Sequence, residues 1–281
     1  GLGDVYKRQN LKARHNLNFT IGKQFVNFGG YEYYVNSIRV REFSEFNNLL
    51  TAYQAGISGN WQVNPDHELC FQIVNNRNGN DEDIYPTGLP EGTAKAKIPF
   101  MYTVNWNSYY LDKTLQLRYA TAVGQQTRKR YSYYFTCGNT YEKGPLLTYL
   151  DVMYTRQGID QHGVVSRLPG TPHTAMNTEY LSIIGDVDFR IHPQWNVYVK
   201  GAYETARVYR SNGDFQKGMY RRSWNAQSSV EFFPFKQLDL FVFVLYTYRG
   251  VILEKAATRM GAIEPDTHRI SLGLVYSIPV F

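Results

Sequence analysis

Cysteine is nearly absent: Cys70 and Cys137 are the only two in 281 residues. That is too few for a disulfide framework, and no C-x-x-C or His/Cys spacing marks a metal site. Both are expected to be free thiols, and neither a metal nor a cofactor is expected. No apolar run approaches the ~18 residues of a membrane-crossing helix; this excludes helical spans and says nothing of strands. Charged residues make up only 19% of the chain, against about 25% in average soluble proteins. Catalytic signatures are missing as well: there is no G-x-S-x-G, no H-E-x-x-H and no Gly-rich phosphate loop. The six histidines are scattered, with His67 and His192 in turn segments. No Ser/His/acid set stands out, so no enzymatic activity is expected.

What the chain has in abundance is aromatic surface. Aromatics make up 16% of it, with 24 tyrosines, yet the mean hydropathy is −0.43. Such a balance fits strands with one apolar face and one wet face. The net charge of +6 suits anionic solutes or anionic lipid headgroups; nucleic acid is not expected as a partner.

Period-2 alternation runs from end to end. In TAYQAGISGNWQV, Tyr53, Ala55, Ile57, Trp61 and Val63 oppose Gln54, Ser58, Asn60 and Gln62. In NVYVKGAYE, Val197, Val199 and Tyr203 oppose Tyr198, Lys200 and Glu204. The pattern predicts an all-β chain of about twelve strands, at 12–28, 50–63, 67–76, 98–108, 113–124, 130–140, 145–157, 177–191, 196–208, 223–233, 237–249 and 266–280. Lengths of roughly 9–12 residues suit tilted membrane-spanning strands, which need about 9–11. Trp61, Trp106, Phe189, Trp224, Phe232, Tyr246 and Tyr248 fall towards predicted strand ends, as aromatic girdles would.

Three connections share the form apolar-x-Pro-x-x-x-apolar: VNPDHEL, IHPQWNV and FFPFKQL. Pro65, Pro193 and Pro234 lack the N–H a ladder needs, so each is expected to end its strand in a tight turn. Polar, Gly-rich connections near 29–49, 77–97, 157–177, 208–222 and 249–266 alternate with them. Tight turns at one end and long loops at the other mark an antiparallel transmembrane β-barrel in an outer membrane. The last strand, HRISLGLVYSIPVF, ends on Phe281, with Pro279 marking a bulge.

IGKQFVNFGGY (21–31), followed by Glu32, resembles the G-[KR]-Q-x-x-x-x-F-G-x-[YF]-E segment of phosphate-selective porin O/P-like porins, in their Bacteroidetes branch. The resemblance continues through VREFSEFNN, FQIVNNRNGNDED, MYTVNWN, YLDVMYTRQGID and the terminal Phe. It implies an outer-membrane barrel of about sixteen strands. It further implies a homotrimer that passes small anions or other small solutes by diffusion. Within that resemblance, residues 29–49 correspond to a loop that folds inward and narrows the pore. DVYKRQ (4–9) reads like a translated sequencing adapter, GAT GTG TAT AAG AGA CAG. Residues 1–9 are therefore expected to be non-native read-through, and 10–281 a single barrel domain that lacks its first strands.

Candidate pore residues are bases. Arg39 and Arg41, in SIRVREF, fall in the inward loop, and Lys23, Arg118, Arg190 and Lys200 fall on or near polar strand faces. Either they form an electropositive path for phosphate or carboxylates, or they are lumen charges balanced by Asp186, Asp188 and Glu204. The RKR run (Arg128 to Arg130) reads as a solvated loop or as a contact for lipopolysaccharide phosphates. RNGNDED (Arg77 to Asp83) reads as an acidic outer loop; its oxygens lack the spacing of a calcium loop. A substrate-specific uptake channel, an outer-membrane barrel enzyme and a soluble carbohydrate-binding β protein remain alternatives.

Overall fold

The computed structural model describes residues 9–12, 16–34, 43–48, 52–76, 84–85, 87–161, 163–171, 173–235 and 240–276. Thirteen strands form one antiparallel sheet whose spatial order is the chain order. They are β1 (Gln9–Lys12), β2 (Leu17–Phe25), β3 (Tyr53–Asn64), β4 (His67–Asn75), β5 (Phe100–Tyr110), β6 (Leu115–Thr127), β7 (Arg130–Lys143), β8 (Leu146–Ile159), β9 (Met176–His192), β10 (Trp195–Val208), β11 (Gly218–Phe232), β12 (Leu240–Leu253) and β13 (Thr267–Tyr276). This is the meander of an up-and-down barrel. Among the described residues no ladder joins β1 to β13.

Side-chain alternation gives the wall two characters. Val187, Val199 and Val230 are 46%, 50% and 46% exposed on the outside, while Lys200 and Ser229 beside them are 2% exposed on the inside. The outer face is a belt of Ile, Val, Leu and aromatics suited to hydrocarbon; the inner face is Ser, Thr, Asn, Gln and charge. Among the described residues, an apolar cluster forms where an inward segment meets the wall, through Phe28, Phe46, Tyr134 and Met153. A second cluster, including Val165, Leu168, Tyr180, Phe215 and Ala257, joins the long connections after β8, β10 and β12.

Several expectations are corrected. The segment 12–28 is not one strand. It is a β1–β2 hairpin with Leu11 opposite Phe19, turning through Asn16 at φ 58. Asn tolerates that left-handed conformation, and a period-2 count does not register it. β9 reaches 17 residues, longer than the pattern predicts. β11 starts at Gly218 and β12 continues to Leu253, so Trp224, Tyr246 and Tyr248 sit well inside their strands. At the tight-turn end, Trp195, the first residue of β10, meets Phe232, the last of β11, at 4.7 Å, while Trp106 meets Tyr119 at 5.7 Å further inside β5 and β6.

Pro65 and Pro193 each occupy a two-residue turn, β3 to β4 and β9 to β10. The third Pro turn includes 236–239, and the terminal signal includes 277–281; both segments lie outside the described residues, as does the acidic run 77–83. The opposite end carries long connections, except at Arg128–Lys129, a tight turn between β6 and β7.

Val199→Arg, on the outer belt, is expected to destabilise the folded protein by about 2–4 kcal/mol, whereas Asn60→Arg, on the inner face, costs less than about 1 kcal/mol. Urea unfolding from lipid vesicles checks the difference; equal costs at both positions contradict the inside–outside assignment.

Candidate functional site

The connection between β2 and β3 turns into the barrel. Val26 N–H donates to the Ala52 carbonyl at 2.9 Å, closing the last rung. Asn27 N–H then donates to Gln72 Oε1 on β4 at 2.8 Å. Gly29, at φ 94, brings the backbone flat against the inner wall. A Cβ on wall residue Gly138 would lie 2.7 Å from the Gly29 carbonyl oxygen, so this seat requires glycine on β7.

One helical turn follows, α1 (Tyr31–Tyr34). Its first N–H groups have no acceptor within the helix. Asp151, on the inner face of β8, accepts from Tyr31 N–H at 2.9 Å and from Glu32 N–H at 2.8 Å. Rings reinforce the seat, with Tyr31 against Tyr149 at 4.7 Å and Phe28 against Tyr134 at 5.4 Å.

Two carboxylates then carry the segment across the lumen. Glu32 is fully buried. It accepts from Ser44 N–H at 3.0 Å, from Ser44 Oγ at 2.5 Å, from Asn47 Nδ2 and from Lys200 Nζ on β10. Glu45 begins a second turn, α2 (Glu45–Asn48). Its N–H donates to Glu204 on β10 at 2.7 Å, and Ser182 on β9 donates to the same oxygen at 2.7 Å. Its carboxylate accepts from Arg221 on β11 and from Arg249 on β12, the latter at 2.5 Å. Glu264, in the connection after β12, lies 3.1 Å from Arg221 Nε. One segment is thereby fastened to β4, β7 and β8 on one side and to β10, β11 and β12 on the other.

The bases singled out from sequence separate into different environments. Arg39 and Arg41 lie outside the described residues. Lys200 faces inward but is bound to Glu32, with Asp186 opposite it in the ladder. Arg118 also faces inward, under the segment. Its guanidinium lies 4.8 Å from the Tyr34 ring centroid and donates to Gln116 at 3.0 Å. Burial raises the Tyr34 phenol well above its usual pKa, so it stays protonated and donates to Asn27 Oδ1 at 3.2 Å. Arg190 lies near the tight-turn end, 3.8 Å over the Phe233 ring. Lys23 is placed differently from the sequence reading: it pairs with Ala55 on the outward register of Phe19 and Ile21, and Gln24 beside it faces inward.

Sequence reasoning assigned no role to Glu32, Glu45, Asp151, Arg221, Arg249 or Glu264. Glu32, Glu45 and Asp151 lie in or beside quoted segments. Arg221 and Arg249 fall outside or at the end of the predicted strands, so their inward register was not visible.

Burying a charge pair costs desolvation that only a close partner offsets, and removing one partner strands the other. Lys200→Met is expected to cost about 3–5 kcal/mol, and adding Glu32→Gln should recover most of it. Urea titration with limited proteolysis of the inward segment measures both; a double variant as unstable as the single contradicts the coupling.

Comparison with known proteins agrees with this geometry. The family model for phosphate-selective porin O and P matches residues 4–278. No curated protein matches the chain. The outer membrane channel DcaP of Acinetobacter baumannii is 11% identical with a TM-score of 0.60, covering 92% of this chain and 71% of its own. A trimer form of OmpT, an outer membrane protein of Vibrio cholerae, is 12% identical with a TM-score of 0.53, covering 95% and 77%. OccK5 (OpdH) of Pseudomonas aeruginosa is also 12% identical with a TM-score of 0.53, covering 99% and 72%. These similarities concern the fold. The family match spans nearly the whole sequence, and the chain belongs to the phosphate-selective porin O and P family of outer-membrane porins.

Proposed function

We propose that this porin passes small hydrophilic solutes by passive diffusion, with a modest preference for anions, phosphate among them, and that it carries out no chemistry. The observation that carries this reading is the polar segment tethered across a polar lumen by Glu32–Lys200 and Glu45–Arg221/Arg249. In this reading residues 29–49 form the constriction, and selectivity arises from charge at the narrowest ring. Three inward bases, Lys200, Arg221 and Arg249, are matched by carboxylates. Anion preference therefore rests on Arg39 and Arg41 in the constriction, with Arg190 on the wall; Arg118, also on the wall, shares its chamber with Glu68. Asp186, Asp188 and Glu204 on the same inner face keep it modest.

The order and spacing of the family-like segments support the Bacteroidetes branch. A homotrimer is the assembly we favour, by analogy with the trimer form of the Vibrio cholerae relative. Arg128 and Lys129 at the rim suit contact with lipopolysaccharide phosphates, which prefer paired cationic donors.

In planar bilayers under a salt gradient, the protein should give discrete conductance steps and an anion-favouring reversal potential. Arg39→Gln/Arg41→Gln should move that potential towards cations. A potential near zero or cation-favouring in the unsubstituted protein removes the basic-constriction mechanism and leaves the pore; no steps from a correctly folded barrel removes passive conduction.

A further inference from the structure

We infer that the chamber beneath the inward segment is a subsite for a neutral polyhydroxylated solute, a small sugar. Solute access to it rests on the porin reading above. The chamber is a cavity of about 350 Å³ between Asn27 and Tyr34 of the inward segment and the inner faces of β2 to β6. That volume falls within the range of small-ligand sites, roughly 300–1,000 Å³.

Its charge does not favour an ion. The lining holds one guanidinium, Arg118, and one carboxylate, Glu68. Neither forms an ion pair among the described residues, so their charges balance across the chamber instead of cancelling in a contact. The remaining lining is mostly neutral amide and hydroxyl.

Two of those amides are unsatisfied. Gln24 is 5% exposed, and its Nε2 donor has no hydrogen-bond partner among the described residues. Asn107 Oδ1, an acceptor, likewise has none. Both residues line the chamber. An unmet donor and an unmet acceptor in one cavity call for a group that both accepts and donates. A hydroxyl does so without bringing charge, and adjacent hydroxyls on a ring can reach several planar amides at once. Arg118 is already oriented for this. Tyr34 lies under its guanidinium, Gln116 takes one N–H, and the other donors remain for ligand oxygens.

The test uses the full chain folded in detergent, with Gln24→Leu and Asn107→Leu. Each substitution removes an unsatisfied atom, and Gln24→Leu also removes the Oε1 that accepts from Gln72 Nε2 at 3.4 Å. Folding is checked by heat-modifiable gel mobility. D-glucose is titrated calorimetrically, and the same protein in planar bilayers is tested for D-glucose block with and without inorganic phosphate. We expect saturable D-glucose binding and block, each about 3- to 10-fold weaker in either variant, and no competition from phosphate. Glucose binding unchanged in both variants overturns the assignment. So does absence of glucose binding, or displacement by phosphate, which makes the chamber an anion site. If bilayers show no conductance steps the porin reading fails, while the calorimetric titration still decides the subsite.

Discussion

The structure depends first on the backbone's need for hydrogen bonds in a solvent that offers none. In hydrocarbon, each N–H and C=O left unpaired costs several kcal/mol, so a strand can cross only as part of a continuous ladder. A meander of long antiparallel strands supplies that ladder rung by rung. It also forces the two-faced wall, because alternate side chains must point to lipid and to lumen. The polar residues that lower the mean hydropathy are thereby placed where water reaches them, and the aromatic and aliphatic residues where lipid does.

A wet interior creates the second problem. A segment entering it cannot be held by a bulk hydrophobic core, since the inner face has little apolar surface. The chain uses a small apolar patch at Phe28, Phe46, Tyr134 and Met153, and relies otherwise on charge. Asp151 caps the first turn, while Glu32 and Glu45 reach bases on the far strands. Carboxylates on the inward segment and bases on the wall give directional anchors where shape alone does not. These anchors consume positive charge that a count of bases assigns to the pore, so in the proposed reading selectivity rests on the bases that remain unmatched rather than on a net charge of +6.

Glycine makes the close approach possible. Gly29 and Gly138 let two backbones meet where any Cβ would hold them apart. The segment also borders a chamber in which Gln24 Nε2 and Asn107 Oδ1 have no hydrogen-bond partner among the described residues.

Alternation in segments such as TAYQAGISGNWQV and NVYVKGAYE determined the all-β class, the inside–outside sense of the wall and the turns at Pro65 and Pro193, because period-2 geometry and proline's missing N–H act within a few residues. Family-like segments such as GKQFVNFGGYE pointed to the porin class. Tertiary structure alone decided the pairing of β1 with β2, with Asn16 left-handed just before β2. It alone turned Lys23 outward and bound Lys200 to Glu32, which stands 168 positions away in the chain. It alone brought Glu45 to Arg221 and Arg249. Pairings across a lumen depend on which strands the closing sheet brings face to face, and local alternation carries no information about that.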